Sequence, residues 1–169
     1  MASEQGLTSL EVIGVAIKSE IDAAALYRSI ARRVRNPALV AKLDFLRQEE
    51  EKHRAILEDI YARRFPDVDL QLPALSIVPT ISPTDLKEKT VPYLFQLAMT
   101  AEKMAAEFYS KQADRSTDDA ARTVLRYLSS VENSHYHMLE TEFDLVSRFP
   151  DYYNADDFHF GDEMIFLGP

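Results

Sequence analysis

A chain of 169 residues, 46% hydrophobic and 28% charged, carries the apolar material for one sizeable core. Its formal charge of −9 repels phosphate backbones and anionic lipid, and its lack of cysteine removes disulfides, thiol nucleophiles and thiolate metal sites. No run approaches the roughly 20 apolar residues of a membrane span, and the opening MASEQGLTSLEVIG lacks the basic and apolar segments of a signal peptide, so the expectation is a cytoplasmic protein without nucleic-acid or membrane partners.

Thr8 and Glu11 are spaced as a capping box, and good helix formers continue to about Arg35. Asn36-Pro37 then reads as the cap and first turn of a second helix, which ends at about Arg64 ahead of Phe65-Pro66 because the residue before proline resists the helical region. Residues 66–89 hold Pro66, Pro73, Pro79 and Pro83. This segment is too long for a turn. With Leu70, Leu72, Leu75, Ile77, Val78 and Ile81 it is also too apolar for a flexible linker, and it reads as a strap crossing the molecule from end to end.

Thr90 caps a third helix to about Ala113, and DRSTDD turns into a fourth from about Asp118 to Arg148, before Phe149-Pro150. The predicted fold is all-α: a four-helix bundle over residues 1–150, built from two helical hairpins with one long crossover connection. Residues 151–169 form an acidic tail whose Tyr152, Tyr153, Phe158, Phe160, Ile165, Phe166 and Leu167 suit packing on the bundle or on a neighbouring subunit.

The two hairpins repeat one another at an offset of 82 residues, without a gap: Thr8 falls on Thr90, Ala16 on Ala98, Glu20 on Glu102, Tyr27 on Tyr109, Leu46 on Leu128, Glu50 on Glu132 and His53 on His135. Steps of three and four residues align these positions on apolar stripes. The second helix gives Leu43, Leu46, Glu50, His53, Leu57, and the fourth gives Leu125, Leu128, Glu132, His135, Leu139. The first gives Ala16, Glu20, Ala23, Tyr27, Ile30, and the third gives Ala98, Glu102, Ala105, Tyr109. If all four stripes face one core, four carboxylates and two imidazoles converge there.

Such carboxylates cost several kcal/mol each to bury unpaired, and no Lys or Arg stands on the stripes. Two divalent ions balance four carboxylates with both histidines neutral. The Glu-x-x-His spacing places both side chains on one helix face, and two ions about 3.5–4 Å apart are the expected occupants. Glu49 and Glu51 read instead as a solvated face, and His137 and His159 as surface or structural residues.

The motifs Glu20-x-x-Ala23-x-x-x-Tyr27, Glu50-x-x-His53, Glu102-x-x-Ala105-x-x-x-Tyr109 and Glu132-x-x-His135, spread over residues 8–149, resemble those of the ferritin-like superfamily and, within it, the rubrerythrins. The resemblance implies a di-iron site, with manganese or zinc as alternative metals. Glu50 and Glu132 would bridge the ions, Glu20 and Glu102 would be terminal ligands, His53 and His135 would complete one ion each, and Tyr27 and Tyr109 would hydrogen-bond across the site. It further implies an oxidoreductase that reduces hydrogen peroxide or oxygen with an external electron donor, as a homodimer. Two features depart from complete rubrerythrins: the four-cysteine rubredoxin-like module is absent, and Ala105 stands where they carry a further carboxylate. The six-ligand set left behind suits a ferroxidase equally, and a non-catalytic metal-binding or sensing bundle is a third reading.

Overall fold

The computed structural model describes residues 7–74, 76–80, 82–149 and 151–154, and within them the chain is all-helical. Four long helices, α1 (Ser9–Ala31), α2 (Pro37–Arg64), α4 (Val91–Arg115) and α5 (Asp119–Arg148), form two antiparallel pairs, α1 with α2 and α4 with α5, which pack through α1 on α4. A short α3 (Pro83–Glu88) interrupts the connector, and a 3-10 turn (Tyr152–Asn154) follows α5. The architecture is a ferritin-like helical bundle.

Each long helix begins where a side chain satisfies its first free N–H groups. Thr8 Oγ1 accepts from Glu11 N at 3.3 Å while Glu11 Oε2 accepts from Thr8 N at 2.8 Å, completing the capping box. Asn36 Oδ1 accepts from Ala38 N and Leu39 N, Thr90 Oγ1 from Tyr93 N, and Asp118 Oδ1 from Ala120 N and Ala121 N. One boundary differs from expectation: α1 ends at Ala31 rather than near Arg35. The amides of Arg35 and Asn36 are taken by Tyr153 O, at 2.7 and 3.3 Å, so the chain leaves the helix to bond the start of the tail.

Residues 66–89 do cross the bundle, lying along α1. Tyr61 Oη donates to Asp69 O at 3.1 Å; then Gln71 O passes so near Gly14 that a Cβ there would sit 3.2 Å from it. Farther on, Ser76 Oγ approaches Ser19 Oγ at 3.5 Å, Val78 is buried, and the Arg33 guanidinium donates to Leu86 O and, at 3.1 Å, to Lys89 O at the end of α3. The contacts run from Gly14 near the start of α1 to Arg33 just beyond its end. Burial is less general than the composition suggests: Leu72 is exposed, Leu70 and Ile77 are partly buried, and Leu75 and Ile81 lie outside the described residues.

At the other end, Tyr152 is buried against the bundle, its Oη donating to Glu142 Oε2 at 3.0 Å and its carbonyl accepting from Asn36 Nδ2 at 3.0 Å. Phe158, His159, Phe160, Ile165, Phe166 and Leu167 lie outside the described residues. No helix among the described residues is long and apolar enough to cross a membrane.

Candidate metal centre

The four stripes meet. Glu20, Glu50, His53, Glu102, Glu132 and His135 are each no more than 3% exposed, one carboxylate arriving from every long helix and one imidazole each from α2 and α5. Their ligand atoms form two overlapping groups: Glu20, Glu50, His53 and Glu132, and Glu50, Glu102, Glu132 and His135, with the atoms of each group within 4.8 Å of one another. Glu50 and Glu132 belong to both, where bridging residues stand.

Around His53 the distances suit ligands better than hydrogen bonds. His53 Nδ1 lies 3.1 Å from Glu132 Oε1, 3.3 Å from Glu50 Oε2 and 3.5 Å from Glu20 Oε2, yet none of these approaches is aligned as a hydrogen bond, and Nε2 of the same ring is also buried without a partner. Glu50 Oε1 and Glu132 Oε1 are likewise buried without an aligned partner. Atoms that each bind one ion at about 2.1 Å sit about 3 Å apart when at right angles, which is this spacing. Such orphaned atoms cost roughly 1–3 kcal/mol apiece unless something charged binds them. On the second half, His135 Nδ1 lies 3.2 Å from Glu50 Oε1, 3.6 Å from Glu102 Oε2 and 3.2 Å from Glu132 Oε2. The two rings stack with centroids 5.7 Å apart. The donor set therefore fits a pair of metal ions.

Both tyrosines reach across the interface between hairpins: Tyr27 on α1 donates to Glu102 Oε1 on α4, and Tyr109 on α4 donates to Glu20 Oε1 on α1. Burial, and then the charge of the carboxylate each one meets, raises both phenols well above the usual range, so they stay protonated donors.

Where protons alone balance the cluster, the electrostatics sort the six groups. Burial raises the Glu20 carboxyl well above the usual carboxylate range, with the charges of Glu132 and Glu50 acting the same way against nearby His53. Glu102 is raised likewise, by burial and then by Glu50 and Glu132. Burial would raise Glu132 too, but His135 and His53 hold it at about 2. Burial disfavours both imidazolium forms, yet the surrounding carboxylates outweigh it, raising His53 and taking His135 to about 12. Protons thus occupy the places where cations belong.

The strap lies over one face of this centre. A void of about 10 Å³ beside Glu20, Glu50, Glu102 and Glu132 is bounded by Ser19, Ala23, Ala101 and Ala105 and capped by Val78. A larger apolar depression of about 390 Å³ at the end of the bundle, lined by Val12, Leu57, Ile60 and Leu125 among others, contains none of the six residues.

Glu49 and Glu51 are partly exposed and paired with Lys52 and Arg47, and His137 is exposed beside Glu140, as the sequence suggests. What the pattern did not reveal is Glu142, 2% exposed on α5 and held by Lys42 and Tyr152. Its counterpart in the first hairpin is Ile60, so the repeat carries no signal for it.

A helical bundle in which two carboxylate-rich groups share two glutamates has the donor arrangement of a dimetal carboxylate protein. The rubrerythrin family model matches residues 11–143, and the chain belongs to that family. A solved structure of a hypothetical protein from Pyrococcus furiosus is 34% identical, with a TM-score of 0.74 over 83% of this chain and 92% of that one. No functionally curated protein matches the chain.

Proposed function

We propose that the chain is a non-haem di-iron oxidoreductase that reduces hydrogen peroxide, or dioxygen, with electrons from an external donor. The observation that carries this reading is the sharing of Glu50 and Glu132 between two ligand groups, each completed by its own glutamate and histidine. Bound iron would supply the two reducing equivalents by cycling between ferrous and ferric states. Glu20, Glu50, His53 and Glu132 would hold one ion, and Glu50, Glu102, Glu132 and His135 the other. Tyr27 and Tyr109 orient the outer carboxylates through their Oη–H donors and keep those protons at neutral pH. The burial of all six ligands excludes bulk water from competing reactions.

Iron handling is the second reading, favoured by Ala105: it is buried beside the ligands and leaves the site without the extra carboxylate of complete rubrerythrins. Anaerobic loading with Fe²⁺, followed by substoichiometric hydrogen peroxide or oxygen, separates the two. The expected result is one peroxide reduced to two waters for each pair of irons oxidised, faster than with oxygen, with iron retained afterwards. Release of ferric iron after each oxidation supports iron handling. A site that takes only zinc, or no metal, overturns both.

A further inference from the structure

We infer that the seam between α1 and α2 is the oxidant's entry to the metal centre, and that its arginine rim admits a small uncharged or anionic oxidant while turning away free Fe²⁺. The inference rests on the functional reading above and deepens it by naming the substrate class.

A recess of about 170 Å³ lies between α1 and α2, and its lining reaches two residues of the ligand set, Glu20 and Glu50. Ile21, Ala24 and Ala25 line it between these and the surface, and Ala24, buried with only a methyl side chain, leaves room there. Its mouth carries Arg28, Glu51 and Arg54. Glu51 does not make that mouth acidic, since Arg47 Nη1 binds its Oε1 at 2.6 Å and Arg28 Nη2 stands 3.6 Å from the same atom. The Arg54 side chain is partly exposed at the mouth, its Nε 3.3 Å from Glu58 Oε1. In the lining of the opening two guanidiniums, Arg28 and Arg54, flank one carboxylate, Glu51. That balance suits an oxidant bearing lone pairs and opposes a dication. At about 30 Å³ per water, the recess has room for only a handful of small molecules.

The neighbouring faces are built differently. Between α1 and α4 the buried Val78 of the strap lines the void beside the carboxylates, which has only about 10 Å³. Between α4 and α5, Ser129 Oγ donates to Ala106 O at 2.9 Å and ties the helices together at the level matching Ala24. In the first hairpin the residue matching Ser129 is Arg47, whose guanidinium turns out to Asp44 and Glu51 and makes no such tie. The positions matching Arg28, Glu51 and Arg54 are Ser110, Asn133 and Tyr136, so the guanidiniums belong to one seam alone. A depression of about 530 Å³ on the α4–α5 side, lined by Tyr136, Lys103 and Glu107 among others, includes no ligand.

The test uses azide as probe on iron-loaded full-length chain, with stopped-flow optical detection of its binding to the oxidised centre. Ala24→Leu fills the recess at that point and should slow azide binding sharply while metal content and the spectrum of the oxidised centre stay as in wild type. Arg28→Glu with Arg54→Glu, both outside the ligand set, should slow azide about tenfold and quicken Fe²⁺ loading of metal-free protein. Arg63→Glu with Arg148→Glu, an equal change of charge on highly exposed side chains elsewhere, should keep the wild-type azide rate. Equal azide rates in every variant that retains its metal pair would overturn the entry route and leave the functional reading standing. Unchanged Fe²⁺ loading after the charge reversal would overturn the selection against Fe²⁺. A wild-type chain that binds no metal pair would overturn the reading itself, and the inference with it.

Discussion

Glu49, Glu50 and Glu51 are chemically identical and adjacent, yet only Glu50 faces the core, at 1% exposure. Glu50→Ala and Glu132→Ala should therefore each lose most bound metal, whereas Glu49→Ala keeps both ions; metal analysis of the purified variants checks this. A comparable separation applies to the tyrosines. Removing one phenol leaves the metal ligands in place but strips Glu102 or Glu20 of a buried donor, so Tyr27→Phe and Tyr109→Phe should still bind two ions. Each should cost about 1–3 kcal/mol of stability in urea unfolding of the loaded protein. Glu50 could be picked out from the sequence because two independent signals select it, the apolar stripe and its match at Glu132. Glu142 lacked the second of these, and its partner Tyr152 comes from a tail with no periodicity.

Among the elements, the long helices were legible because caps and stripes are local, repeated and mutually consistent. The end of α1 was not, since Tyr153 draws the Arg35 and Asn36 amides out of the helix from more than a hundred residues away. In the strap the composition gave the right direction without the right residue. A proline-rich segment has no fixed side-chain period, so nothing in it singles out Val78 over Leu72 as the residue that turns inward. Val78 is 4% exposed above the ligand layer, and Val78→Ala should cost about 1–3 kcal/mol by the loss of buried methyl groups and should speed extraction of metal by a chelator. Chelation kinetics that match wild type would show that the strap does not seal this face. The start of the tail is a separate anchor: Tyr152→Phe removes the bond to Glu142 and should lower the melting temperature without changing metal content.

For the whole molecule, the protonation pattern links stability to pH. Glu20 and Glu102 are raised above 4.5, and His53 and His135 above 6.5, so at neutral pH the folded metal-free chain holds protons that the unfolded chain releases. The carboxyl contribution is complete below pH 4.5 and the imidazole contribution below 6.5, and both are lost as pH rises through the folded values. Glu132, held at about 2, acts in the opposite sense, but only below pH 4.5. Stability of the metal-free protein should therefore fall between pH 6 and pH 8, by more than about 1 kcal/mol, while the loaded protein stays nearly level because metal has replaced the protons. Glu20→Gln with Glu102→Gln should make the metal-free profile shallower by removing the carboxyl contribution, since the amides cannot gain a charge, and leave the slope due to the imidazoles. Urea unfolding of chelator-treated and loaded protein at a series of pH values measures both effects.

Each half of the centre borrows from the other hairpin, Glu132 completing the set around Glu20 and Glu50 completing the set around Glu102. Two such hairpins as free, identical chains could build the same centre only by finding one another, at a yield set by their concentration, and every face of the product would have an identical twin. Joining them through residues 66–89 removes both constraints. The partner is always present at the high effective concentration of a tether, so the centre forms at any dilution. The two copies are also free to drift apart wherever the ligands do not hold them, and guanidiniums at 28 and 54 opposite a hydroxyl and a phenol at 110 and 136 are that freedom put to use. A bundle with duplicate faces would have had two doors or none.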